Sequence, residues 1–170
     1  MKKIAYTLGA LIFSSSSMAG IVGNIATSEG TTYVQDTVNT TLNITGYNYS
    51  GPLSSENVVF SLRGITNGAN SIIITGQDDS VGVNGDTVAK DSNGKEWSLT
   101  LYGSDITCEN GGKFSFEDTS NFPGLITNDP SVYKCTGSNN TAGISINFRN
   151  EEEWPTGSYT LKMSAQAWSE

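Results

Sequence analysis

The most informative absence in this 170-residue sequence is histidine, of which there is none. Histidine is the commonest general base, proton shuttle and metal ligand, so most hydrolase mechanisms are excluded and we expect a protein without catalysis, metal or cofactor. Basic residues are also scarce, with 9 Lys and Arg against 17 Asp and Glu, and they form no cluster. Such a chain has little to bind a phosphate backbone, so we expect no nucleic-acid partner.

Charged residues of either sign make up only 15% of the chain, which is the length of one ordinary domain. The remainder is rich in Thr, Ser, Asn and Gly. This composition is closer to that of an exported β-protein than to that of a cytosolic helical one.

The first residues have the pattern of a bacterial signal peptide. Lys2 and Lys3 precede an apolar run from Ile4 to Phe13, and small residues follow up to Ala19. The run is far shorter than the ~20 residues of a membrane span, so we assign residues 1–19 to export, with cleavage after Ala19. Removal of both lysines raises the acidic excess to about ten.

Cys108 and Cys135 are the only two cysteines. In the oxidising compartment that export implies, they are expected to form a disulfide bond. A redox-active or metal-binding pair is the alternative, but it would favour a close spacing such as Cys-x-x-Cys, whereas these residues are 27 apart.

Apolar residues recur with period two along the chain, and no segment has a sustained helical stripe. The sequence therefore predicts an all-β domain. Strands are predicted around Leu42 and Ile44, and with alternating inward residues in two further runs, Val58–Phe60–Leu62 and Ile144–Ile146–Phe148. The other predicted strands are Ala69 to Thr75, Ser80 to Ala89, Glu96 to Tyr102, Lys113 to Glu117 with Phe114 and Phe116 inward, and Ser158 to Trp168.

Four Asn-Gly dipeptides, beginning at Asn67, Asn84, Asn93 and Asn110, are placed to reverse the chain tightly. Seven or eight short antiparallel strands predict a β-sandwich, with an up-and-down barrel as the alternative. The segment from Asp118 to Pro130 has no clear period, and we interpret it as a long surface loop beside the disulfide.

Two acidic segments are candidates for chemistry. Asp91 to Glu96 has some features of a calcium loop, but Lys95 and the missing late glutamate favour a hairpin turn. Glu151 to Glu153 fit a solvated turn better than the acid pair of a glycosidase, although carboxylates can still meet in space.

Residues 20–34 are polar and weakly patterned, and the first convincing strand follows them. They fit either a frayed terminus or a strand intended for another molecule, since an extended segment can complete an open sheet edge.

The last seventeen residues, Trp154 to Glu170, resemble the terminal strand of chaperone/usher fimbrial subunits. That family ends in a Pro-x-Gly-x-Tyr-Thr-like turn and an alternating strand, with the glycine fourteen residues from the end, as Gly157 is here. The Gly-x-Tyr-Thr-Leu pattern and Trp168 are most similar to Afa/Dr-type adhesins. Asp91 to Trp97 is similar to a hairpin of Saf-type pilins.

The resemblance implies an immunoglobulin-like β-sandwich that lacks its last strand. Residues 20–34 would be the donor-strand extension, and residues 35–170 the pilin-like domain. A periplasmic chaperone would first fill the groove, and the extension of the next subunit would then replace it at an outer-membrane usher. Repetition would give a homopolymer, or a fibre with other fimbrial subunits, exported through the periplasm to the cell surface.

Site residues follow from this interpretation. The expected acceptor groove is walled by Leu42, Ile44, Tyr159, Leu161, Met163 and Ala165. The inserted face of the donor strand is predicted to carry Ile21, Ile25, Thr27, Thr31 and Tyr33. Thr160, Lys162 and Ser164 are predicted to face water.

The resemblance therefore implies a structural or adhesive fimbrial subunit that attaches bacteria to host surfaces and contributes to virulence. Its receptor would be a host glycan or protein. The runner-up is a monomeric secreted carbohydrate-binding β-sandwich, and a secreted hydrolase comes third.

Overall fold

The computed structural model describes residues 20–27 and 38–169. The predicted signal peptide lies outside the described residues. Twelve β-strands are assigned in the described part: β1 Gly20–Thr27, β2 Asn39–Gly46, β3 Val58–Asn67, β4 Ser71–Gly76, β5 Val88–Asp91, β6 Glu96–Thr100, β7 Ile106–Cys108, β8 Lys113–Asp118, β9 Ser131–Thr136, β10 Thr141–Asn150, β11 Tyr159–Thr160 and β12 Met163–Ser169. Short 3₁₀ helices lie at Asp78–Ser80, Gly103–Asp105, Glu109–Gly111 and Thr119–Asn121.

The strands form two antiparallel sheets packed as a sandwich. One sheet has five strands in the order β1-β12-β4-β9-β8. The other has the order β11-β5-β6-β10-β3-β2, and β7 pairs with β10 beside this path. The all-β prediction and the sandwich arrangement are therefore confirmed. Among the described residues, no helix has the length and apolar content needed to cross a bilayer.

The core lies between the two sheets and largely follows the predicted alternation. At the start of β3 the prediction is wrong, since Val59 and not Val58 is in the core, because the pairing with β10 shifts its register there. Leu62 of β3 and Ile144, Ile146 and Phe148 of β10 are almost fully buried in it. The facing sheet contributes Ile72, Ile74, Met163 and Ala165. Because these strands bury one face against the opposite sheet, the period-two pattern was a reliable guide to their positions.

The disulfide prediction is confirmed, and the bond joins the two sheets. Cys108 ends β7 and Cys135 lies in β9, with the Cα atoms 5.6 Å apart. The bond closes a loop with a sequence separation of 27. In the chain-entropy model, such a closure stabilises the fold by about 3.5 kcal/mol, which is a large share of a small domain's stability.

The four Asn-Gly dipeptides lie in turns, as predicted. Gly68, Gly85, Gly94 and Gly111 all have positive φ, and so does Asn110. One of these turns contradicts a predicted strand, however. Gly82 and Asp86 are hydrogen-bonded around Asn84-Gly85, so the chain reverses inside the range Ser80 to Ala89, and β5 begins only at Val88.

The predicted burial of Phe114 and Phe116 is wrong. Both are exposed, Phe116 by 59%, although their register partners in β9 are Cys135 and Tyr133 on the core-facing side. The physical reason is that β8 is the edge strand of its sheet. The alternation correctly predicted the side of β8 on which the two phenylalanines lie. The opposite sheet, however, does not extend over their rings.

The predicted single strand from Ser158 to Trp168 is two strands in different sheets. Tyr159 and Thr160 pair with β5, whereas β12 starts at Met163 and pairs with β4. At the crossing, the Lys162 N–H donates to Ser80 Oγ at 2.7 Å, and the Lys162 carbonyl accepts from Gln77 N at 3.0 Å. These two bonds hold the chain where it changes sheets.

The face of β12 that we expected to meet water is buried as well. Ser164, Gln166 and Trp168 are each at most 3% exposed. The segment interpreted as a surface loop covers Trp168 and Gln166. Phe122 packs edge-to-face on Trp168 with ring centroids 5.0 Å apart, and Gln166 Nε2 donates to the Ile126 carbonyl at 3.4 Å. The loop from Asp118 to Pro130 is thus a lid over the outer side of the five-stranded sheet.

An ion pair with a buried carboxylate connects the turn that precedes β7 to strand β10. Asp105 accepts from Arg149 Nε and Nη2, both at 2.8 Å, and from the Tyr102 N–H at 3.0 Å. The hydrogen bonds from Arg149 hold the pKa of Asp105 below its ordinary value. This arrangement contributes stability that is present above the carboxyl's unfolded pKa and is lost as the pH falls through its lowered folded value.

Candidate functional site: an edge groove and a tyrosine cleft

The last strand, β12, lies at the centre of the first candidate site, the edge groove. Met163 and Ala165 are fully buried in the sandwich core, and Leu161 just before the strand is 6% exposed. One edge of β12 pairs with β4, in a register that runs from Met163 opposite Gly76 to Trp168 opposite Ser71. The other edge is available for a second partner, and β1 pairs with it.

β1 pairs antiparallel with β12 and lies next to β2. Gly20 and Ile21 are opposite Ser169 and Trp168, whereas Ala26 is opposite Ala165, and the register shifts between Ile21 and Ile25. β1 also contacts β2, the edge strand of the other sheet. The N-terminal strand therefore lies between the first and last strands of the remaining domain. We call the space that it fills the edge groove; its predicted wall residues are Leu42, Ile44, Leu161, Met163 and Ala165.

The wall residues come from both sheets. Leu42 and Ile44 of β2 are partly buried and pack on the same core as Met163 and Ala165. Tyr159 was predicted to belong to this set, but the structure places it on β11 at the far edge of the seven-stranded sheet. Its ring packs on Trp154, with centroids 4.3 Å apart.

The residues predicted for the donor face occupy defined register positions in β1. Ile25 is opposite Gln166 and Thr27 is opposite Ser164, both on the outer side of β12, as Ile21 is opposite Trp168. Thr31 and Tyr33 lie outside the described residues. Ala26 is the described position opposite interior Ala165. The assignment of Ile21, Ile25 and Thr27 to the inserted face stays a prediction.

Charges cluster at the start of β12. Lys162 Nζ lies 2.7 Å from Asp79 Oδ2, and Lys90 Nζ lies 3.7 Å from Asp79 Oδ1. The hydrogen bond from Lys162 lowers the pKa of Asp79 from its ordinary value. Because both side chains are exposed, this pair contributes little to stability.

A buried carboxylate lies nearby. Asp129 accepts from the Gly76 N–H at 2.7 Å and the Ser131 N–H at 3.0 Å. Burial raises the pKa of Asp129 above its ordinary value, and these two donors act against that rise. Both carboxylate oxygens accept backbone hydrogen bonds, so we assign Asp129 a structural role.

The calcium-like segment forms the β5–β6 hairpin. Asp91 Oδ1 accepts from the Asn93 and Lys95 N–H groups at 2.8 and 3.0 Å, and Oδ2 accepts from Trp97 Nε1 at 3.3 Å. Burial acts to raise the pKa of Asp91, but these hydrogen bonds lower it overall. Within the described ranges, no group of three His, Cys, Asp or Glu side chains could hold a metal ion.

The second candidate site was not found by sequence reasoning. A cleft of about 370 Å³ opens between residues 46–60 and residues 154–159. We call it the tyrosine cleft; its lining residues include Tyr47, Tyr49, Trp154 and Tyr159. The only signal in the sequence is the Tyr-Asn-Tyr run directly after β2, because the other wall comes from a segment about a hundred residues later.

The sequence was also compared with known proteins, and it matches no model of a protein family and no curated protein.

Proposed function

We propose that this protein is a structural and adhesive subunit of a fimbrium, assembled by donation of its N-terminal strand to a neighbouring subunit. The observation that carries the proposal is the pairing of β1 with β12 at the edge groove. In this interpretation, residues 38–169 are an immunoglobulin-like sandwich that lacks one strand, and β1 is an interchangeable filler.

The chemistry of the groove explains why it must be filled. Without β1, the edge of β12 would present unpaired backbone N–H and C=O groups, next to apolar Met163 and Ala165. An exposed edge combined with apolar surface promotes aggregation and readily accepts an extended strand. A periplasmic chaperone would protect this edge until another subunit, delivered at the usher, supplies its own β1.

The connection to β1 is long enough for exchange between molecules. Ten residues, 28–37, separate β1 from Val38. Fully extended, such a segment spans up to about 35 Å, several times the ~10 Å that separates the two sheets of a sandwich. The same strand can therefore serve either its own domain or an adjacent one, and repeated exchange in one direction yields a fibre.

A second candidate function is favoured by one specific observation: β1 lies on the edge of its own domain. A sandwich completed within one chain is suited to a monomeric, exported binding module, such as one that binds carbohydrate. The two functions differ in oligomeric state, because the fibre requires exchange of β1 and the module forbids it.

Denaturing gel electrophoresis of the processed protein without heating separates the two. A fimbrial subunit is expected to give a ladder of SDS-resistant multimers that collapses to monomer on boiling, since strand insertion buries a whole row of backbone hydrogen bonds. A single monomer band before and after heating, from protein purified at high concentration from the cell surface, would favour the binding module.

A further inference from the structure

The tyrosine cleft is an uncharged concave surface on an acidic protein. None of the described residues that line it carries a charge. Besides the aromatic rings, the lining supplies the polar side chains of Asn48, Thr156 and Ser158. In a chain with 17 Asp and Glu residues, a cleft without any charge favours a ligand that is neutral and polar.

The two exposed rings at the mouth are held in place through their hydroxyl groups. Tyr47 Oη lies 3.0 Å from Ser61 Oγ, which in turn donates to Asn147 Oδ1 at 2.6 Å, so the tyrosine acts as the donor. Tyr49 Oη donates to the Val58 carbonyl at 2.5 Å. Both rings nevertheless stay about half exposed. They therefore offer fixed ring faces to a ligand.

The inner wall is formed by two aromatic rings packed on each other. Tyr159 Oη donates to the Pro155 carbonyl at 2.6 Å, and its ring packs on Trp154. Trp154 is 2% exposed, and its indole Nε1–H has no hydrogen-bond partner among the described residues. Because this Nε1 atom is itself closed off from solvent, the inner wall presents ring surface to a ligand and not a free donor.

We infer that the tyrosine cleft binds a neutral oligosaccharide. Sugar rings present C–H faces that pack on aromatic rings and hydroxyls that bond to amides, hydroxyls and backbone groups. The cleft combines both requirements and lacks a cation for a phosphate or carboxylate. This inference deepens the adhesive part of the proposed function, because it names the receptor class and the residues that contact it.

The test measures binding of the processed full chain to immobilised neutral oligosaccharides ending in galactose, mannose, glucose or N-acetylhexosamine. At least one member of the panel is expected to bind. Replacing both Tyr47 and Tyr49 with alanine should weaken that binding about tenfold or more, since two aromatic contacts with the sugar are lost. Binding should change little between low and high salt, because no ion pair is involved.

Two variants serve as controls. Tyr47→Phe should keep more of the affinity than Tyr47→Ala, because it retains the ring face and loses only the hydroxyl that holds the ring in place. Phe116→Ala removes an exposed aromatic ring that does not line the tyrosine cleft and should leave binding unchanged. Near-native circular dichroism of the double alanine variant shows that a loss of binding is not a loss of fold.

Absence of binding to every neutral oligosaccharide, or equal binding by the double alanine variant, would overturn the site. Binding restricted to acidic glycans and abolished by salt would also overturn it. These results are separable from strand donation, because the Tyr47 and Tyr49 variants are still expected to form the SDS-resistant ladder. A chain that forms the ladder without binding sugar would refute the tyrosine cleft alone.

Discussion

Replacement of Leu161 with aspartate is expected to abolish folding of the subunit and its capture by a chaperone. Leu161 is buried in the core cluster just before β12, so the new carboxylate would lose its hydration. The cost of several kcal/mol is comparable to the whole stability of a small domain. Periplasmic yield and co-purification with the chaperone measure the effect.

The neighbouring residue provides a matched control, although the structure changes which substitution is suitable. From the sequence, aspartate at Lys162 should be tolerated; in the structure, it would place a second carboxylate beside Asp79, where Lys162 Nζ now lies at 2.7 Å. Lys162→Gln removes the exposed ion pair without adding repulsion and should cost no more than about 1 kcal/mol. Equal losses for Leu161→Asp and Lys162→Gln would mean that the groove wall is assigned incorrectly.

The second large effect concerns the donor strand. Deletion of residues 20–34 is expected to leave a subunit that binds its chaperone but forms no multimers, because the edge groove remains and its filler is gone. The measurement is the unheated gel of chaperone-released protein. Adding a synthetic peptide of residues 20–34 should restore a soluble monomer, whereas a scrambled peptide should not. Fibres from the truncated chain would contradict strand donation by this segment.

Two single substitutions within β1 determine which side of the strand enters the groove. Ile25 belongs to the predicted inserted face, whereas Ala26 is opposite interior Ala165 in the register. Neighbouring residues of a strand lie on opposite faces, so only one of the two positions can point into the groove. If Ile25 is inserted, Ile25→Asp should block polymerisation and Ala26→Asp should be tolerated. Loss of multimers from Ile25→Asp alone supports the prediction from sequence. Loss from Ala26→Asp alone shows that the opposite face is inserted.

The sequence predicted best those features that depend on local alternation and turn chemistry. Ile144, Ile146 and Phe148 lie in a central strand that faces the opposite sheet, so their period-two pattern reports burial directly. The Asn-Gly turns were equally accessible, because positive φ is a property of a few residues. The disulfide followed from there being only two cysteines in a chain assigned to export.

Features that depend on distant segments were missed. The alternation placed Phe116 on the correct side of its strand, but β8 is an edge strand. The residues of β8 carry no information about where the facing sheet ends. Trp168 is buried because Phe122, more than forty residues earlier, packs on its ring, and Gln166 donates to the carbonyl of Ile126 in the same loop. The tyrosine cleft needs Tyr47 and Trp154 from opposite ends of the domain. Alternation within one strand carries no information about such covering elements.

The central claim is that β1 fills the groove of another subunit. A chain with both Ala26→Cys and Ala165→Cys tests it most directly, because these residues are opposite each other in the β1–β12 register and the native cysteines are already paired. After oxidation, boiling without reductant should leave a ladder of covalently linked multimers that reductant collapses, and wild-type protein should give none. A double variant that becomes fully cross-linked yet runs only as monomer would show that β1 stays in its own domain and would contradict the fimbrial assignment.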